Sequence, residues 1–120
     1  MGNAFRLWIL RRGIRKPRYE TVMYFAERDD MPDVPKPGVL AVAGSSNRPK
    51  WASFDCPCGR GHVILLPLQA QGRDAWRLTL DASGLPTLYP SIDRRGVPRC
   101  HFWLEAGRVR WVKGKRHPAR

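Results

Sequence analysis

The stretch Cys56-Pro57-Cys58-Gly59-Arg60-Gly61-His62 constrains the fold of this chain more than any other. Two thiols two positions apart can face one point only where the backbone turns sharply. Pro57 fixes its own φ, and Gly59 and Gly61 admit positive φ. Trp51 to Asp55 leads into the stretch and His62 to Leu68 leads out, which predicts a tight turn between two strands, able to fold around a cation. The chain has three cysteines and three histidines. The remaining cysteine, Cys100, is followed directly by His101, and the third histidine, His117, lies in a basic tail. An odd cysteine count argues for metal or free thiol over a disulfide framework.

Tetrahedral zinc takes four ligands, usually thiolate or imidazole. The expected set is Cys56, Cys58, Cys100 and His101, with His62 as the alternate. Neighbours in a strand point to opposite faces, so Cys100 and His101 can share an ion only at a bend, for which Gly96-Val97-Pro98 is suitably placed. Against this stands the plainer reading, in which the cysteines are small buried apolar residues. A cysteine nucleophile, Cys100 or Cys58 activated by His101 or His62, is a third reading. The adjacency of Cys100 and His101 speaks against it for that pair.

The rest of the chain reads as short strands between turns. Tyr19 to Phe25 is rich in β-branched and aromatic residues. Glu27 to Pro37 carries three prolines and reads as an extended connector. Gly38 to Ala43, Ala75 to Leu80 and Leu85 to Tyr89 suit strands, and His101 to Leu104 with Arg108 to Val112 flank a hairpin at Glu105-Ala106-Gly107. Phe5 to Leu10 is a weaker strand candidate, and a short helix is conceivable near Glu20 to Asp30. No helical stripe of ten residues stands out. The expected fold class is all-β or β-dominated: one small domain over residues 1–120, of short antiparallel strands with a zinc-binding turn.

The formal net charge is +12, concentrated at the two ends, residues 1–18 and 113–120. Such ends attract nucleic acid or any acidic partner, or are simply solvated tails. Trp8, Trp103 and Trp111 each lie near basic residues, an arrangement that can stack single strands, although aromatics alternating along strands more often fill a core. No apolar run reaches the roughly 18 residues of a membrane helix. Met1 to Leu10 makes a poor signal peptide because Arg6 interrupts it. The expectation is a cytoplasmic protein with no membrane association.

The runs GVLAV, FDCPCGRGHVILLPL, AWRLTL, LYPSI and CHFWLEAGRVRW, in this order, resemble the bacterial and phage family known as domain of unknown function 6527. The resemblance spans roughly Val34 to Val112. It implies metal binding by Cys56, Cys58, Cys100 and His101, and an association with bacterial ubiquitin-like conjugation. Two departures from the family pattern bear on the ligands. Arg60 stands where the family has a third turn cysteine, and Cys100 touches His101 where the family separates them by two residues. Either the ligand geometry has shifted, or Cys100 replaces a family serine and a ligand is lost, with His62 to compensate.

Two classes of function follow. The first is a structural-zinc accessory or interaction module that binds a protein partner, such as a ubiquitin-like modifier or its activating enzyme, or binds nucleic acid through the basic ends. The second is a zinc-dependent hydrolase that removes such a modifier. It would need an open metal position and a general base, for which Ser91, Asp93 and Glu105 are the candidates nearest the second ligand pair.

Overall fold

The computed structural model describes residues 16–112. The strand candidate Phe5 to Leu10, Trp8 and most of the two basic ends lie outside these residues. The described residues form eight strands: β1 (Thr21–Phe25), β2 (Val39–Ser45), β3 (Arg48–Asp55), β4 (Val63–Pro67), β5 (Arg77–Leu80), β6 (Pro86–Arg94), β7 (Cys100–Glu105) and β8 (Arg108–Trp111). They build two four-stranded sheets, ordered β1-β2-β3-β4 and β5-β6-β7-β8. The β-dominated fold class is therefore the one expected from the strand patterns.

Two details differ from the sequence reading. The stretch near Glu20 to Asp30 contains β1 and a single 3₁₀ turn, Arg28–Asp30, rather than a short helix. The β-branched and aromatic residues of TVMYF gain a ladder against β2 that a helix would forgo. That ladder is parallel, from Thr21↔Val39 to Phe25↔Ala43, while every other strand pair is antiparallel. A parallel pair needs a crossover of a dozen or more residues, and the proline-rich connector between Phe25 and Val39 supplies that length.

The inner faces of the two sheets share one core. Leu40, Val42, Ala52, Phe54, Ile64 and Leu66 come from the first sheet, and Leu78, Leu88, Ile92, Phe102 and Leu104 from the second. Phe54 links them: its ring lies edge-on to Tyr19 at 5.2 Å and to Phe102 at 6.5 Å between centroids. Trp111, considered above as a stacking residue, is partly buried and packs against this core, on Phe102 at 5.5 Å. Phe54→Ala should lower the unfolding free energy by about 3 to 5 kcal/mol. The check is a lower urea midpoint at unchanged slope.

The segment before β1 ties the end of β3 to the second sheet. Arg18 and Tyr19 donate backbone N–H groups to the Gly107 carbonyl at 2.8 and 3.0 Å. The Arg18 guanidinium reaches the Asp55 carboxylate at 2.6 Å, and the Tyr19 hydroxyl donates to the Asp55 carbonyl. Asp55 immediately precedes Cys56, so these contacts fix the entry to the cysteine turn.

Candidate functional site

The turn between β3 and β4 closes as its composition predicts. Cys56 N–H donates to the His62 carbonyl at 2.8 Å, and Gly59 N–H donates to the Cys56 carbonyl at 3.1 Å. Gly59 and Gly61 adopt φ of 78° and 90°, values that L side chains rarely adopt. The loop thereby folds back on itself and directs both thiols inward. Cys100, the first residue of β7, reaches the same place from the other sheet. All three cysteines are free and buried.

The donor atoms of Cys56, Cys58, His62 and Cys100 all lie within 4.8 Å of one another, a group that could hold a metal ion. Within it, Cys58 Sγ lies 3.2 Å from His62 Nδ1. Burial pushes the Cys56 and Cys100 thiols above their usual range, because a thiolate in this core lacks solvation. A bound cation is what would reverse that cost.

His62, the alternate ligand of the sequence reading, occupies the place first given to His101. The reason is the pleat. Cys100 and His101 sit in regular register opposite Arg94 and Asp93, so no bend turns both toward one point. Cys100 faces the core and His101 faces outward.

On that outer face His101 meets a different partner. Ser91 Oγ lies 3.0 Å from His101 Nε2. On the other side of the ring, His101 Nδ1 lies 3.9 Å from Asp93 Oδ2. Nδ1 is buried and has no hydrogen-bond partner among the described residues. The strand geometry brings the three together. Ser91 and Asp93, two apart on β6, share a face, and Asp93 is directly opposite His101. The register shifts between Leu88 and Ile92, so Tyr89, Pro90 and Ser91 fill a bulge opposite Trp103. Bulges re-aim side chains in this way. The Trp76 indole N–H donates to the Ser91 carbonyl at 3.3 Å and holds the bulge from the other side.

Asp93 is itself held in place. Arg99 grips both carboxylate oxygens, at 2.9 and 2.6 Å, and Arg95 stands 3.4 Å away. The Arg99 hydrogen bonds are the main cause that holds the Asp93 carboxyl down to about 2, with the charges of His101, Arg99 and Arg95 assisting against burial. Asp93 is thus a fixed anion facing the imidazole. Glu105, the third polar candidate, is not part of the group. It sits at the far end of β7 and pairs with Arg110 at 3.1 Å.

Sequence reasoning named Ser91, Asp93 and His101 but did not join them as one constellation. The signal was present: Ser91 and Asp93 at strand spacing, and His101 alternating with Cys100, Phe102 and Leu104. Assigning His101 to the metal obscured it. The metal candidate and the Ser91–His101 pair thus lie on opposite faces of β7, linked through consecutive residues.

No helix among the described residues is long and apolar enough to cross a membrane. Neither the curated proteins nor the solved structures contain a match to this chain. A family model described as bacterial ubiquitination-like system serine protease (BubE) matches residues 27–112, which take in both constellations. Because that match spans well over half of its length, the chain belongs to the BubE family of bacterial ubiquitination-like systems.

Proposed function

We propose that this protein is a serine peptidase in which Ser91 is the nucleophile, His101 the general base and Asp93 the acid behind it. The carrying observation is the 3.0 Å contact of Ser91 Oγ with His101 Nε2, with the Asp93 carboxylate across the ring. For the serine hydroxyl to donate to Nε2, the imidazole proton must sit on Nδ1, toward Asp93. As Ser91 Oγ attacks a carbonyl carbon, its proton passes to Nε2, and the resulting imidazolium faces a fixed anion. The same proton then goes to the leaving amine, and the C–N bond breaks to leave an acyl-Ser91 ester. Water, deprotonated by His101, hydrolyses that ester and restores the hydroxyl. Membership of a ubiquitination-like system favours a protein substrate, and the proposed one is the peptide or isopeptide bond at the end of a ubiquitin-like modifier.

The Cys56, Cys58, His62, Cys100 group is proposed to hold zinc as a structural staple. Zinc–sulfur bonds of about 2.3 Å give tetrahedral edges of about 3.8 Å, within the 4.8 Å spread of the four donors. Three thiolates and an imidazole are a donor set typical of structural zinc, and four protein ligands leave no position for a water. The hydrolytic role given to zinc in the sequence reading therefore passes to Ser91.

The test is covalent labelling. A fluorophosphonate probe should modify one residue, Ser91, as read by mass spectrometry of the digested protein, and His101→Ala should abolish the labelling. Labelling at another serine, or none, would remove the nucleophile.

A further inference from the structure

A cavity of about 270 Å³ is lined by residues 63–66 of β4, by Trp76, and by residues 92–94 of β6, the stretch that directly follows Ser91. It lies between two strand edges that pair with no other strand among the described residues. β4 ends the first sheet, and β5 pairs with β6 only from Pro86 to Tyr89.

The direction of the backbone groups on both edges follows from the ladders. Cys56 N–H donates to the His62 carbonyl and Leu68 N–H donates to the Lys50 carbonyl, each at 2.8 Å. Bonded and non-bonded pairs alternate along an antiparallel ladder, so Ile64 and Leu66 carry the bonds to β3. Val63, Leu65 and Pro67 then direct their backbone groups away from β3. The Pro67 carbonyl does accept a hydrogen bond on that side, from Trp76 N–H at 2.9 Å, and a proline with no N–H to offer suits an edge. Across the cavity, Val112 N–H donates to the His101 carbonyl at 3.0 Å, which turns the backbone groups of His101 toward β8 and those of Phe102 toward β6. With Ile92 opposite Phe102, Asp93 directs its N–H and carbonyl away from β7. Ser91 does the same, and its carbonyl receives the Trp76 indole N–H.

Resting on the serine-peptidase reading, we infer that an extended segment of the polypeptide substrate enters this gap as an added strand, bonded to Val63 and Leu65 on one side and to Asp93 on the other, and so delivers its scissile carbonyl to Ser91. The walls favour recognition through the backbone. Ile64, Leu66 and Ile92 are apolar, and the two charged side chains at the cavity are already engaged, Arg94 with the Pro98 carbonyl at 3.0 Å and Asp93 with Arg99. Strand addition supplies affinity through main-chain hydrogen bonds, and a flexible tail or unfolded stretch can present them where a folded surface cannot.

The experiment uses Ser91→Ala protein, so that binding is read without turnover, and fluorescein-labelled casein as an unfolded polypeptide. Leu65→Pro deletes the N–H directed into the gap but none of the bonds to β3, and Leu65→Ala is its side-chain control. Fluorescence anisotropy should show casein binding about tenfold weaker for Leu65→Pro than for Leu65→Ala, the effect of one hydrogen bond of about 1.4 kcal/mol. In the variant that keeps Leu65, casein should slow amide hydrogen exchange at Leu65 and Asp93 about tenfold, a readout that does not depend on how the proline variant folds. Equal affinities for the two Leu65 variants, protection confined to other strands, or no casein binding would overturn the inference. So would a dimer that Leu65→Pro dissolves at unchanged casein affinity, since the edge would then belong to a second copy. Loss of Ser91 labelling by the fluorophosphonate would instead strike the peptidase reading, and the two failures are read in separate assays.

Discussion

Ser91→Ala is expected to abolish hydrolysis of an activated ester such as 4-nitrophenyl acetate while leaving metal content and circular dichroism as in the wild type. Where nucleophile and base act as a unit, removing either costs on the order of 10⁶-fold in kcat. Ser91→Ala and His101→Ala should therefore be equally inactive, and the double variant no worse than either. Asp93→Asn should cost less than the roughly 10⁴-fold seen where the acid is hydrogen-bonded to the imidazole, because Nδ1 and Asp93 Oδ2 are 3.9 Å apart. The measurement is steady-state kinetics of the variants beside elemental analysis of the same samples. A Ser91→Ala protein that keeps wild-type turnover would refute the nucleophile. If turnover instead followed metal content across the variants, the zinc-dependent reading would return.

Much of the fold was legible because the strands are short, alternating and separated by Gly, Pro and Asp turns. The hairpin at Glu105-Ala106-Gly107 and the cysteine turn both lie where their residues placed them. The parallel pairing of β1 with β2 was not legible: TVMYF states that it is a strand, but the direction of its neighbour depends on where the connector leads. The site was half legible for a similar reason. Cys56 and Cys58 are local, and their convergence follows from the turn itself. Choosing between Cys100 and His101 required knowing which face of β7 is buried. Phe102 and Leu104, in phase with Cys100, carried that information, while Trp103 and Glu105 are in phase with His101. The bulge that presents Ser91 depends on a register shift against β7, a long-range fact that the sequence Tyr-Pro-Ser-Ile does not state.

Removing the metal should unfold the domain. Three buried thiols and His62 converge where the cysteine turn meets β7, so the proposed zinc joins the two sheets at a point where the alternative is a cluster of uncompensated polar atoms in the core. Structural zinc contributes about 10 to 16 kcal/mol of apparent binding free energy in small zinc domains. That is comparable to the whole stability of about 5 to 15 kcal/mol usual for a domain. A strong chelator, or Cys58→Ser, is therefore expected to abolish the cooperative thermal transition and release about one zinc per chain, measured by calorimetry and elemental analysis. The two histidines separate the two sites. His62→Ala should lose metal and stability together, and its activity should fall only as the fold is lost. His101→Ala should keep metal and melting temperature yet be inactive. The opposite pattern, with metal lost in His101→Ala and kept in His62→Ala, would restore the ligand set expected from the sequence. Consecutive residues on β7 would then have to share one face, against the pleat that places Cys100 in the core and His101 beside Ser91.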